Sequence, residues 1–106
     1  MSLHRQAARR DKNERAIIAS FASMGVCTWR LSGTGLPDLL CGYRCTWFLV
    51  EIKSARGQLR PEQELFHTSC KAMQLPIAIV RSQDDVVAVM RQWGLQLAED
   101  QGELLL

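Results

Sequence analysis

In the run Trp47-Phe48-Leu49-Val50-Glu51-Ile52-Lys53, four apolar residues lead into an acid and a base. Strand periodicity puts Glu51 and Lys53 on one face, with Ile52 opposite. A carboxylate and an ammonium at the end of a covered strand are costly unless paired or liganded. A structural ion pair, or a strand end emerging into water, meets that cost as well as a site does. Asp38, thirteen positions before Glu51, shifts the balance, because it too interrupts an apolar run, Leu36-Pro37-Asp38-Leu39-Leu40. If the two segments are hairpin neighbours, Asp38 and Glu51 converge on one point, and two carboxylates there repel unless a cation lies between them. Hard oxygen ligands with retained waters suit Mg²⁺ or Mn²⁺. Such an ion polarises a phosphate, lowers the pKa of a bound water and stabilises developing charge. Lys53 is then placed to orient or activate the attacking water, or to neutralise the transition state.

The elements that must hold these residues follow from periodicity and punctuation. Residues 1–12 read as a basic arm or frayed helix start. From Asn13 to about Met24 the pattern is helical, with Glu14, Ile17, Ile18 and Phe21 on one stripe and Gly25 ending it. Val26 to Leu31 alternates and reads as a strand, and Ser32 to Gly35 as a turn or loop without the Gly-Lys-Ser/Thr ending of a P-loop. Leu36 to Cys41 reads as a second strand, with Pro37 tolerable near its start or on an edge. Gly42, Tyr43 and Arg44 turn the chain. Thr46 to Lys53 is the strongest strand, apolar on both faces, as in a central covered strand. After a loop containing Gly57, Pro61 opens a second helix running to about Met73, with Arg60 a poor N-cap. Ile77 to Val80 is a strand, and Ser82 with Asp85 forms a capping-box pattern for a third helix ending near Gly94. The order is α-β-β-β-α-β-α, an α/β sandwich around a central mixed sheet: an arm over 1–12, a domain over 13–94 and a tail over 95–106.

The chain has 106 residues and a net charge of +2, which fits one domain with one core. Charge is uneven: Arg5, Arg9, Arg10, Lys12 and Arg15 crowd the start, and Glu99, Asp100 and Glu103 mark the end. A basic arm suits a polyanion, and equally a solvated helix start. The four cysteines, Cys27, Cys41, Cys45 and Cys70, follow a polar N-terminus without an apolar leader, and no apolar run is long enough to cross a membrane. A cytoplasmic setting with reduced thiols is expected. Cys41 and Cys45 lack a second close pair, and His4 and His67 lie far apart, so the thiols read as buried structural groups rather than a zinc site. Trp29, Trp47, Phe48 and Trp93 read as core rather than base-stacking platforms. His67, one turn after Gln63, could face a cleft, and a plain helix-surface histidine is the favoured reading. Nothing forms a Ser-His-Asp or Cys-His set.

The ordered motifs Gly35-Leu36-Pro37-Asp38 and Val50-Glu51-Ile52-Lys53 resemble the PD-(D/E)XK nuclease motif. More narrowly, the chain resembles the stand-alone virus-type replication-repair nuclease domain, VRR-NUC. That family has a leading helix with a Glu, here Glu14, then the G-x-PD and E-x-K strands, a helix with a Gln, here Gln63, and a strand ending Val80-Arg81-Ser82. The resemblance covers roughly residues 10–93. It implies a restriction-endonuclease-like fold and a Mg²⁺- or Mn²⁺-dependent endodeoxyribonuclease that hydrolyses phosphodiester bonds by in-line attack of a metal-activated water. It further implies that Asp38 and Glu51, with the Ile52 carbonyl, bind the metal, and that Lys53 is the catalytic lysine. Glu14 would be a further acid at the site, and Gln63 would support the lysine or contact DNA. Arg60 departs from the Ser or Thr usual before Pro-Glu-Gln. Stand-alone members are associated with homodimers acting on branched DNA, including four-way junctions, and a phage or prophage origin also follows only from the resemblance.

Each of these residues has a plainer reading. Glu14 could be a solvated acid, although its spacing to Ile18 and Phe21 turns it toward the core. Gln63 sits at the third helical position, where Gln often caps. Arg56 and Arg60, like Arg5, Arg9, Arg10 and Lys12, would touch the DNA backbone or be ordinary surface charges. Two other classes stand beside the nuclease. One is a catalytically inactive DNA-binding module of the same fold. The other is a non-nuclease structural or partner protein, which would lack the salt-dependent DNA affinity of a phosphate-contacting one. No membrane and no small-molecule substrate are expected.

Overall fold

The computed structural model describes the backbone of residues 2–93 and side chains from Asn13 onward. The tail from Leu95, including Leu104, Leu105 and Leu106, lies outside the described residues, as does the end of the third helix near Gly94. The elements are α1 (Ser2–Ser23), β1 (Cys27–Arg30), β2 (Leu39–Tyr43), β3 (Thr46–Ile52), α2 (Pro61–Ala72), β4 (Ile77–Val80) and α3 (residues 83–93). The four strands form one mixed sheet in the order β1-β2-β3-β4; β1, β2 and β3 pair antiparallel, and β3 pairs parallel with β4. This is the expected α/β sandwich, with the expected order of elements.

α1 starts ahead of the Asn13 boundary and buries Ile17 and Phe21. It ends where Gly25 N–H donates to the Ala22 carbonyl and Val26 N–H to that of Phe21, each at 3.0 Å. Strand alternation sorts the sheet into two faces. One carries Leu39, Cys41, Phe48, Val50 and Val80, and forms the core with Ile17, Phe21, Val86 and Met90 from α1 and α3. The Phe48 ring lies 6.0 Å from that of Phe21 and 5.2 Å from that of Trp93, edge to face with the latter. The other face carries Trp29, Leu40, Trp47, Leu49 and Glu51. α2 lies on this face and closes it at Glu51, leaving Trp29 61% and Trp47 55% exposed. These two tryptophans are therefore not core, contrary to the expectation, and β3 is covered on both faces only toward its C-terminal end. Among the described residues no helix is long and apolar enough to cross a membrane.

The second strand starts three residues later than its pattern indicates. Pro37 has no N–H to give a ladder, and the chain enters through a loop in which Leu36 N–H donates to the Gly33 carbonyl and Leu31 N–H to that of Asp38. Asp38 thus precedes β2 instead of lying within it. The turn is also displaced: Gly42 and Tyr43 stay in the strand, and Arg44 and Cys45 make the turn with φ of 43° and 69°. Two positive φ values in a two-residue connection match the twist of a β-hairpin. Cys41 and Cys70 are buried and Cys27 and Cys45 exposed, all four as free thiols, so only half of them are the buried groups expected. Burial, with Cys27 nearby, pushes the Cys41 thiol up to about 12, and burial also raises that of Cys70.

Candidate active site at the end of the third strand

Glu51 ends the apolar run of β3 on the face that α2 closes, and only 1% of it is exposed. A carboxylate this deep needs polar neighbours, and α2 supplies two. Gln63 Nε2 donates to Glu51 Oε2 at 3.4 Å, and His67 Nε2 lies 3.5 Å from Glu51 Oε1. One turn separates Gln63 from His67, so both address the same point from one helix face. Burial, then the Lys71 and Lys53 charges, hold the His67 imidazole below the usual histidine range; the contact with Glu51 is one of a neutral ring.

Lys53 follows Glu51 on the same side of the chain, just past the end of β3. Its Nζ donates to Gln63 Oε1 at 2.8 Å. The same oxygen accepts the Arg60 N–H at 2.8 Å, so Gln63 closes the start of α2 while joining Lys53 to Glu51. The capping expectation for Gln63 is met, and the same amide also touches Lys53 and Glu51. Its orientation follows, because the oxygen faces two donors and the nitrogen faces the acid. The backbone of Lys53 is held as well, its N–H donating to the Val80 carbonyl and its carbonyl accepting from Asn13 Nδ2.

Asp38 joins this group through the backbone. Its Oδ2 accepts the Ile52 N–H at 2.7 Å, so the carboxylate takes over the β2–β3 ladder where Pro37 breaks it. Asp38 is thereby fixed one residue from both Glu51 and Lys53 along β3. The approach depends on Gly35, at φ 82°: a Cβ there would lie 3.1 Å from the Glu62 carbonyl on α2. The loop before Asp38 can press against the start of α2 only because Gly35 has no side chain.

Glu14 is buried, and its Oε1 lies 3.4 Å from Arg30 Nε on β1, while its neighbour Asn13 reaches the Lys53 carbonyl. Arg56 and Arg60 are exposed, and Arg60 Nε stands 3.8 Å from Glu62 Oε1. The side chains of Arg5, Arg9, Arg10 and Lys12 lie outside the described residues.

Two residues of this neighbourhood do more than the favoured sequence reading assigns them. His67 is buried against Glu51 rather than on the helix surface; its spacing of four from Gln63 is the signal that shows it. Arg81 donates from Nη1 to the carbonyls of Ser54 at 2.7 Å and Gly57 at 2.6 Å, tying down the loop that follows Lys53. A guanidinium bond to a carbonyl contributes about 1.5–3 kcal/mol. Arg81→Ala is therefore expected to speed exchange of the Gly57 amide, which donates to the Ser54 carbonyl, by about tenfold or more. Hydrogen exchange read by mass spectrometry checks this, and an unchanged rate would show the loop to be held by other contacts.

The arrangement is a buried acid, a lysine and a second acid, set at the carboxyl end of β3 where it runs parallel to β4. In open α/β sheets ligands bind at the carboxyl ends of strands. Hard oxygens from two carboxylates, with an ammonium alongside, can hold a divalent cation and meet a phosphate. The sequence matches no protein-family model and no curated protein. Among solved structures, the chain is similar in fold to a VRR_NUC domain, with a TM-score of 0.69 and 22% sequence identity over 77% of this chain and 94% of that one.

Proposed function

We propose that this chain is a divalent-metal-dependent endodeoxyribonuclease, acting as a homodimer on branched DNA such as four-way junctions. The observation that carries the reading is the joining of Glu51 and Lys53 through the Gln63 amide, with Asp38 bound to the same strand at Ile52. A plain surface ion pair needs none of this. The similarity in fold to a VRR_NUC domain agrees with it.

Two carboxylates beside a backbone carbonyl are the donor chemistry that a hard divalent cation takes. Asp38 and Glu51, with the Ile52 carbonyl, would hold Mg²⁺ or Mn²⁺, and the His67 Nε2, buried without a hydrogen-bond partner among the described residues, marks polar capacity beside Glu51. When bound, the ion supplies Lewis acidity toward a phosphate oxygen and lowers the pKa of a water. Lys53 brings its ammonium to the phosphate and offsets the charge that builds on the equatorial oxygens. Gln63 holds that ammonium in place, and the slot closed by α2 keeps bulk water from Glu51. Glu14 acts as a further acid at the edge of the site, and Arg5, Arg9, Arg10, Lys12, Arg56 and Arg60 contact the DNA backbone. A dimer fits this reading, since two incisions in symmetric strands require two sites related by a two-fold axis.

Labelled four-way junction, linear duplex and single strand, each incubated with Mg²⁺, Mn²⁺ or EDTA, test the reading. Paired symmetric nicks in the junction, absent in EDTA, are the expected result, together with a dimeric mass in sedimentation velocity. Tight binding that ignores EDTA, with no cutting of any substrate, would replace the enzyme by a binding module of the same fold.

A further inference from the structure

We propose that His67 is a positioning residue that fixes the plane of the Glu51 carboxylate for metal binding; this rests on the nuclease reading of the site. A glutamate side chain leaves its carboxylate free to rotate about the last torsion, and one hydrogen bond to one oxygen does not stop that rotation. Here the two oxygens have separate neighbours on α2: Gln63 Nε2 at 3.4 Å from Oε2 and His67 Nε2 at 3.5 Å from Oε1. Gln63 already holds Oε2, and His67 stands where a tightened contact to Oε1 would fix the carboxylate in one orientation.

Gln63 is itself immobilised by Lys53 Nζ and the Arg60 N–H, so α2 transmits a single geometry to base and acid together. His67 completes it. The ring is 5% exposed, and its Nε2 has no hydrogen-bond partner among the described residues. A buried ring nitrogen in that condition is costly, and an aliphatic side chain would fill the same space without the cost. To serve Oε1, the ring must carry its proton on Nε2, the nitrogen that faces this acceptor. Both contacts are longer than the usual 2.9–3.0 Å of an N–H···O bond. Site hydrogen bonds are often slack before loading and shorten when the complex forms. The function of His67 is therefore read on the loaded site. Partners that orient a metal ligand change metal affinity by about 10–100-fold when removed.

The test is Mn²⁺ titration by calorimetry on the full chain without DNA, comparing wild type, His67→Phe and His67→Gln, with the melting temperature of each in EDTA. His67→Phe keeps the bulk and removes the donor; its Kd for Mn²⁺ is expected to rise about 10–100-fold. His67→Gln restores an N–H at similar reach, and its Kd is expected within about threefold of wild type, a rescue that a merely space-filling role would not give. Kinetics on DNA with the same proteins should show kcat falling in His67→Phe with KM unchanged. Should His67→Phe not fold, His67→Leu against His67→Gln carries the comparison. Wild-type affinity in His67→Phe, or no recovery in His67→Gln, overturns the proposal. Nitrogen coupling in the spectrum of bound Mn²⁺, lost in His67→Phe, also overturns it by making His67 a ligand. A wild type that takes up no Mn²⁺ at millimolar concentration overturns it together with the metal site. Mn²⁺ binding that depends on His67, in a protein that cuts no DNA, upholds the positioning role and overturns the nuclease.

Discussion

Replacing Lys53 with Met is expected to lower kcat on DNA by about 10²–10³-fold, the usual cost of removing one donor aimed at developing charge. Fold and Mn²⁺ affinity should be nearly unchanged. Met keeps the apolar stem of the lysine and deletes the ammonium. In the structure that ammonium bonds to the Gln63 oxygen, which still accepts the Arg60 N–H when the lysine is gone. No buried acceptor is stranded, so the melting temperature should move little. On the nuclease reading KM should change less than kcat, because the charge that Lys53 would meet is largest in the transition state. Lys53→Arg should not rescue fully, since a planar fork replaces a point charge in a slot shaped by one amide. Single-turnover cleavage of a labelled junction checks both variants. A Met variant that cuts at the wild-type rate would remove Lys53 from the chemistry and with it the main support of the enzyme reading.

The parts of this geometry that sequence reveals are those set by local physics. β4 coincides with Ile77–Val80 and α2 starts at Pro61, because a β-branched run after Pro76 and a proline at the first helical position leave little choice. Glu51, Lys53 and Gln63 are legible for the same reason, as polar residues at fixed periods in apolar elements. What escapes depends on residues distant in the chain. Gly42 reads as the turn, yet it lies in β2, paired with Cys27 and Trp47, and it is a glycine there because a Cβ would lie 2.8 Å from Cys27 Sγ and 2.9 Å from the Trp47 ring. That crowding is created by two other strands. Trp29 and Trp47 read as core by type, but exposure depends on where α2 crosses the sheet, and no local pattern records that. Asp38 looks like a residue within a strand, and its place ahead of β2 follows from a bond made to Ile52 on β3. The spacing of His67 from Gln63 puts the two on one helix face, but its burial follows only once that face is known to meet Glu51.

Glu51→Gln gives the second large effect, and its two halves run in opposite directions. Metal binding should be lost, because the amide offers one neutral oxygen where a carboxylate offered two charged ones. Saturating Mn²⁺ stabilises a protein that binds it, by about 2.7 kcal/mol at one hundred times Kd. The melting temperature of wild type should therefore climb with added Mn²⁺, and that of Glu51→Gln should not. In EDTA the order should reverse. A charged carboxylate at the depth of Glu51 costs several kcal/mol to desolvate before its partners repay it, and the isosteric amide removes that cost. The new side chain keeps an oxygen for Gln63 Nε2 and presents an N–H to His67 Nε2, which accepts in its other tautomer. Lys53, only half-buried, turns to solvent rather than being left uncompensated. A gain of about 1 kcal/mol is expected, some 4 °C or more in melting temperature for a domain near this size. Such a gain would mark Glu51 as an acid kept for chemistry at the expense of stability. A variant that melts below wild type in EDTA would show that the buried carboxylate stabilises the fold, and would favour a structural role for this cluster. Scanning calorimetry in EDTA and in Mn²⁺, on the two proteins, separates these outcomes.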